Sequence, residues 1–238
     1  MEIQNATDLT EANATYLIYG GQGVGKTSSL KYLPGKTLVI DIDKSSRVLK
    51  GEENIDIASI DTSNIWEEWN NTAKELITDK SYQEKYDNIV IDNVSELFRS
   101  SLENLGKRGK ATQKGVPARS DYQIVDFMIM RALRGLQALD VRLILTAWEK
   151  TDKYEHESGQ TFNRTFPDLR HSIAENFMGL CDVIARLIIV QRDNEKVRGF
   201  ILQPTPEVTA KNRLDDRTGA KVSELLSLIH ISEPTRQA

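Results

Sequence analysis

Thr15-Tyr16-Leu17-Ile18-Tyr19-Gly20-Gly21-Gln22-Gly23-Val24-Gly25-Lys26-Thr27-Ser28-Ser29-Leu30 is the stretch that decides the fold. An apolar run of strand-forming residues passes straight into a glycine-rich loop, and Lys26-Thr27 then opens what reads as the first turn of a helix. Gly20-x-x-x-x-Gly25-Lys26-Thr27 between a strand and a helix is the pattern of a phosphate-binding loop. Glycines carry no Cβ to block close approach, so successive backbone N–H groups can converge on a phosphate, and the helix start adds its positive end. Gly20, Gly21, Gln22, Gly23, Val24, Gly25, Lys26, Thr27 and Ser28 are therefore the expected ATP-binding residues. Lys26 is expected to reach the β- and γ-phosphates. The Thr27 hydroxyl is expected to hold Mg2+, a hard cation that takes oxygen ligands and keeps several waters. A glycine turn that merely closed a strand and helix would not call for the Lys-Thr pair.

Working outward, short aliphatic and β-branched runs recur at Thr15–Tyr19, Thr37–Ile42, Asn88–Asp92, Arg142–Ala147 and Asp182–Gln191. Each reads as a buried strand. Helical patterns alternate with them at Lys26–Leu33, Asn64–Thr78, Val94–Leu105 and Asp121–Leu139. Three of these starts carry a capping pattern, Asn64 with Glu67, Asn93 with Glu96 and Ser120 with Gln123. Such alternation predicts an α/β fold of the P-loop NTPase kind, with a mainly parallel central sheet flanked by helices. Val183–Gln203 departs from it. Two strand-like runs there flank Arg192-Asp193-Asn194-Glu195-Lys196 and predict an antiparallel hairpin at the sheet edge.

The chain has 238 residues, enough to bury a core, and no repeat or low-complexity linker divides it. Residues 1–226 are expected to form one domain. The tail Ser227–Ala238 (SLIHISEPTRQA) resembles translated sequencing-adaptor read-through, the plain alternative being a frayed end that Pro234 stops. A count of 31 Lys plus Arg against 35 Asp plus Glu excludes a uniformly basic coat for nucleic acid. One cysteine, Cys181, excludes an intramolecular disulfide, and His156, His171 and His230 lack zinc-ligand spacing. The first residues lack a secretion signal and no apolar run is long enough for a bilayer, so a cytoplasmic location without membrane contact is expected.

A magnesium site needs an acid, and Ile89-Val90-Ile91-Asp92 is an apolar strand ending in one. Asp92 is the expected metal-shell residue, direct or through water. Hydrolysis also needs a carboxylate to activate water, and the position after Asp92, where many P-loop ATPases carry glutamate, is Asn93. The strand Leu38-Val39-Ile40-Asp41-Ile42-Asp43 is the other source. Strand alternation would place Asp41 and Asp43 on one face, with Asp43 at a strand end where ligand crevices open. Asp43 is the expected base, with Glu96 its rival.

These residues resemble the RecA core, and more closely the phage nucleotide-binding proteins of the RecA-like AAA_24 class, including the Sak-type ATPases of phage annealing and recombination. The resemblance covers roughly residues 13–222. It is carried by Gly20–Thr27, Val39-Ile40-Asp41-Ile42-Asp43, Ile89–Asp92, Leu143-Ile144-Leu145-Thr146-Ala147 and Ala210-Lys211-Asn212-Arg213. It implies a RecA-like core and a catalytic acid on the strand after the P-loop helix. Lys211 and Arg213 are similar to the basic pair that reaches a neighbour's ATP, which implies a homo-oligomer. Two positions depart from the pattern. Trp148 follows the strand end where a polar γ-phosphate sensor is common, and Asp43 is shorter than the glutamate expected.

Two polar segments are candidates for a single-stranded DNA partner. Gly106–Arg119 carries Lys107, Arg108, Lys110, Lys114 and Arg119 and no acid, which suits a phosphate backbone. Lys150–His171 sets Tyr154, Phe162 and Phe166 among Arg164 and Arg170, which suits base stacking. A solvated loop is the plain alternative for both. The leading expectation is a phage or prophage recombination or annealing ATPase that binds single-stranded DNA. A P-loop nucleotide or small-molecule kinase and an ATP-gated assembly module with little hydrolysis remain as alternatives.

Overall fold

In a computed structural model of the chain, residues 13–109, 115–155, 159–192 and 195–227 are described. In chain order the elements are β1 (Thr15–Gly20), α1 (Lys26–Ser29), β2 (Thr37–Asp41), β3 (Ile55–Ser59), α2 (Ile65–Thr78), α3 (Ser81–Lys85), β4 (Asn88–Asp92), α4 (Val94–Arg108) and α5 (Arg119–Gln137). The second half contributes β5 (Arg142–Glu155), β6 (Thr161–Pro167), α6 (His171–Leu180), β7 (Val183–Arg192), β8 (Glu195–Ile201), β9 (Lys211–Asn212), β10 (Gly219–Lys221) and α7 (Val222–Ser227). Among the described residues, ten strands form one sheet in the order β10-β8-β7-β1-β5-β4-β2-β3, with β6 paired to β5 and β9 to β7. The run from β7 to β3 is parallel, whereas β8, β10, β6 and β9 pair antiparallel. The α/β class, the mainly parallel sheet and the hairpin of β7 with β8 match the sequence expectation, with β10 added outside the hairpin.

Side-chain alternation along the strands divides the interior between two cores. Leu17 and Tyr19 of β1 join Ile89, Ile91, Leu143 and Leu145 against α2, α4, α5 and α6. Tyr16 and Ile18 join Val39, Val90, Ile144 and Ala185 against Leu30, Leu225 and Leu226, on the face of α1 and α7. Because β5 is inserted between β1 and β4, the glycine loop and Asp92 stand at neighbouring strand ends with one strand between them. That placement makes the site.

Several expectations change. The helix after the loop is one short α-turn, Lys26–Ser29, continued by a 3-10 turn over Leu30–Tyr32 ahead of Pro34. Asn93 caps α4 as expected, its Oδ1 accepting from Glu96 N at 2.7 Å. Ser120 caps nothing: it lies inside α5, whose start is closed by Ala118 N donating to Asp121 Oδ2 at 2.7 Å. Asn64 precedes α2 without a side-chain cap, while Asp61 accepts from Ser63 N in the turn before it. β5 continues eight residues past Ala147 and pairs with β6, so the described part of Lys150–His171 is two paired strands and a helix start rather than a loop. β3 escaped notice because an edge strand with Asp56 and Ser59 lacks the apolar run of a buried one. No helix among the described residues is long and apolar enough to cross a membrane.

Candidate functional site

β1 carries the loop to the C-terminal edge of the sheet, where Gly20 stands in register with Trp148 of β5. A Cβ on Gly20 would lie 2.6 Å from the Leu187 carbonyl oxygen, so β7 packs too close for any other residue. Gly23 and Gly25 have φ of 72° and 100°, the left-handed region that glycine enters without a Cβ clash. Lys26 folds back over the loop, its Nζ donating to the Gly20 and Gly21 carbonyls at 2.9 and 3.0 Å. Burial pulls its ammonium below the usual lysine range, opposed by the charges of Asp92, Asp43 and Glu149. In front of the loop is a cleft of about 320 Å³ whose walls include Gln22, Lys26, Thr27, Asp43, Asp92 and Trp148.

Asp92 is 1% exposed at the end of β4. Thr27 Oγ1 donates to its Oδ2 at 2.7 Å, Ser45 Oγ donates to the same oxygen at 3.1 Å, and Thr146 Oγ1 donates to Oδ1. Thr27 and Ser45 also meet each other at 2.9 Å. Burial pushes the Asp92 carboxyl above the ordinary carboxylate range, against the pull of these hydroxyls. Thr27 and Asp92 are readable from the sequence, whereas Ser45 and the role of Thr146 are not. A threonine interrupting the aliphatic run Leu143-Ile144-Leu145 was the available signal, since a buried hydroxyl needs a partner.

The two acids of the β2 region part company. β2 ends at Asp41, so strand alternation does not extend to Asp43, although both carboxylates reach the Ser45 N–H. Asp41 is buried and closes the turn, its oxygens accepting from Ser45 N at 3.1 Å, from Ser46 N at 3.3 Å and from the Ser46 hydroxyl. Asp43 faces the cleft. Its Oδ2 accepts from Asn93 Nδ2 and its Oδ1 from Ser45 N at 3.2 Å. Asn93 therefore does two jobs, its amide oxygen capping α4 and its amide nitrogen holding Asp43. Glu96 is turned back along α4, its carboxylate accepting from the Ser100 hydroxyl, and it does not line the cleft.

Trp148 walls the cleft and ties it to its surroundings. The Arg99 guanidinium of α4 lies 4.7 Å from the Trp148 ring and donates to Asp168 at the end of β6. Trp148 N donates to Ser95 Oγ at 2.9 Å, and Asp168 N donates to the Trp148 carbonyl at 2.8 Å.

The basic residues predicted to act elsewhere are placed as follows. Lys211 Nζ donates to the carbonyls of Met178, Gly179 and Cys181, capping the C-terminus of α6 where a cation is favoured. Arg213 is exposed. Its N–H donates to Asp182 O at 3.1 Å, and Asp182 N donates to Thr15 O at the opposite end of β1 from the glycine loop. At about 3.3 Å per residue that is roughly 17 Å from Gly20, so Arg213 cannot serve its own cleft. Lys107 and Arg108 lie in the last turn of α4 rather than in a loop, Lys107 paired with Glu103 at 2.6 Å and Arg108 with Asn64 and Glu67. Arg119 opens α5 and is exposed, while Lys110 and Lys114 lie outside the described residues. Along the β5–β6 hairpin, Tyr154 stands opposite Phe162, Arg164 covers the Tyr154 ring at 4.6 Å and Lys150 lies 5.9 Å from the Phe166 ring. Arg170 instead packs on Tyr122 and pairs with Asp126 at 2.5 Å.

The buried Asp92 makes a pH prediction with a definite sign. Its folded-state affinity for a proton is raised above the unfolded value, so its contribution is most favourable in acid and is lost as pH rises. The Asp92→Asn protein should therefore melt at or above the wild type without nucleotide at pH 7, and its advantage should grow as pH rises from about 4, where a free aspartate titrates. Thermal melts of both proteins across that range check it; an advantage that shrinks towards neutrality would contradict the cost assigned to the buried charge.

No curated protein sequence matches the chain. A protein-family model described as an AAA domain, AAA_24, matches residues 12–214, so the chain belongs to that family of nucleotide-binding ATPases.

Proposed function

We propose that the chain is a magnesium-dependent ATP hydrolase acting on single-stranded DNA in phage or prophage annealing or recombination. The observation that carries the hydrolase reading is the contact of Thr27 Oγ1 with Asp92 Oδ2 at 2.7 Å, in the same cleft as Lys26 and Asp43. The donor set fits a magnesium-bound triphosphate. Thr27 and Asp92 offer hard oxygen ligands, the glycine loop offers backbone N–H groups, and Lys26 is free to exchange two loop carbonyls for phosphate oxygens. When bound, the metal neutralises charge on the phosphates. Asp43, held by Asn93 and by Ser45 N, orients a water for attack on the γ-phosphorus and accepts its proton as the bond to the bridging oxygen breaks. ADP and phosphate leave.

The DNA reading is supported by the paired strands β5 and β6, where half-exposed aromatic rings stand among Arg164 and Lys150. Bases stack on such rings whatever their sequence, and cations take the backbone. The phage setting rests on the resemblance alone. Of the pair assigned to a neighbour's site, Arg213 keeps that role in this proposal, being exposed and remote from its own cleft, while Lys211 is engaged by the carbonyls at the end of α6.

Lys26→Ala should lose nucleotide binding and turnover together. Asp43→Asn should still bind ATP while kcat falls on the order of 100-fold or more; unchanged release of radiolabelled phosphate would remove Asp43 as the base, and transfer of label to a metabolite would favour a kinase. Single-stranded oligonucleotide should bind with an affinity that falls steeply with salt and should raise the hydrolysis rate severalfold. No stimulation and no gel shift at low salt would sink the DNA reading. Mixing Arg213→Ala with Lys26→Ala protein should recover part of the activity that each lacks, because one intact site can form between them; a mixture as inactive as its components would argue against a shared site.

A further inference from the structure

From one position in the turn after β2, Ser45 touches four other side chains of the site. Its backbone N–H reaches Asp41 Oδ1 at 3.1 Å and Asp43 Oδ1 at 3.2 Å, while its hydroxyl lies 2.9 Å from Thr27 Oγ1 and donates to Asp92 Oδ2 at 3.1 Å. The turn is built to put it there. Asp41 is 2% exposed and takes the N–H and hydroxyl of Ser46 on its other oxygen, which ties this backbone to the end of β2. Lys44 has φ of 58°, a left-handed conformation that residues with a Cβ seldom adopt. Such residues persist where their surroundings over-determine them, and they cluster at ligand sites. The Ser45 hydroxyl has no part in closing the turn: Ser46 and the Ser45 N–H already serve the two acids, and what the hydroxyl touches lies on two other segments.

The oxygens of Thr27, Ser45 and Asp92 form a triangle with sides of 2.7, 2.9 and 3.1 Å in the wall of the cleft. A hydroxyl carries one proton and an ionised carboxylate none. While Asp92 is ionised, three close contacts therefore share two protons, and one side of the triangle brings lone pairs together. A cation satisfies all three oxygens at once. Magnesium binds oxygen at about 2.0–2.1 Å in octahedral geometry, which sets adjacent ligand oxygens about 2.9 Å apart, the spacing of this triangle. Both hydroxyls meet the same Asp92 oxygen, Oδ2, while Thr146 holds Oδ1. A partner on the other oxygen is how proteins orient a ligating carboxylate.

We infer that Ser45 is a further ligand of the magnesium that accompanies the bound nucleotide, its hydroxyl completing with Thr27 and Asp92 a face of three protein oxygens. The inference rests on the phosphate-site reading above and deepens it. Both hydroxyls are neutral hard-oxygen donors, so the set adds no charge to that of Asp92 and leaves the remaining positions to phosphate oxygens and water. Ser45 also joins this face to the acid assigned to activate water, because its N–H holds Asp43 from the same residue.

Equilibrium binding of the slowly hydrolysed analogue AMP-PNP to the full chain, in EDTA and across a magnesium titration, tests this with Ser45→Ala and Ser45→Cys. Wild type should bind the analogue more tightly as magnesium is added. Ser45→Ala should need about 10- to 100-fold more magnesium for half of that effect, yet bind the analogue in EDTA as the wild type does, which also shows that the variant is folded. In Ser45→Cys a soft sulfur replaces the hydroxyl, so cadmium should restore tight binding that magnesium does not, a preference absent from Ser45→Ala. If Ser45→Ala keeps the wild-type magnesium dependence, or loses affinity equally with and without the metal, the hydroxyl is a hydrogen-bonding group only and the assignment is overturned. The same metal preference in Ser45→Cys as in Ser45→Ala overturns it too. If the wild type fails to bind the analogue, or binds it no better with magnesium than in EDTA, the phosphate-site reading itself fails and takes this inference with it.

Discussion

The buried carboxylate of Asp92 is the constraint on which the rest of the site depends. An ionised group taken from water into a sheet interior is costly unless hydrogen bonds replace its hydration. Here three hydroxyls offset part of that cost without cancelling it, from Thr27 on α1, Ser45 after β2 and Thr146 on β5. Three segments distant in sequence are thereby brought to one point. The sheet order makes this possible, since β5 and β2 are the two neighbours of β4 and the glycine loop rises one strand further on.

Asn93 is the second junction, and it links the cleft to α4. Because one amide both caps α4 and holds Asp43, the angle of that helix and the position of the acid are mechanically connected. α4 also carries Ser95 and Arg99, which hold Trp148 from behind. Arg99 reaches on to Asp168, where β6 ends. The cleft, α4 and the β5–β6 hairpin thus form one continuous set of packed and hydrogen-bonded groups. The indole meets Arg99 of α4 on one side while it walls the cleft.

Residues whose role is local were legible in the sequence. The glycine loop is read from its own spacing, Asp92 from the apolar strand it terminates, and the Asn93 cap from Glu96 three residues later. Residues whose partners lie far along the chain were not. Ser45 is an unremarkable turn serine until Asp92 is placed beside it. Lys211 carried the signature of a residue that reaches a neighbour, yet the carbonyls at the end of α6 are within its grasp. Asp41 and Asp43 do meet, but at the Ser45 N–H rather than through strand alternation, because β2 stops at Asp41.

β5 shows why a polar stretch is a poor guide to a loop. Its first six residues, Arg142–Ala147, are buried between β1 and β4 and read as a core strand. Past Trp148 the neighbours change, because β1 turns into the glycine loop and β4 has ended. The strand keeps its backbone hydrogen bonds by pairing with β6 instead, from Glu149 to Glu155. What the side chains then need is cross-strand contact rather than burial, and Arg164 over the Tyr154 ring, with Phe162 opposite Tyr154, supplies it. Lys150–Glu155 looked loop-like because its polarity was judged against a core that it had already left. The same change of neighbours carries the aromatic and basic residues of the hairpin out beyond the cleft beside the glycine loop, while Trp148, at the point of exit, remains part of its wall.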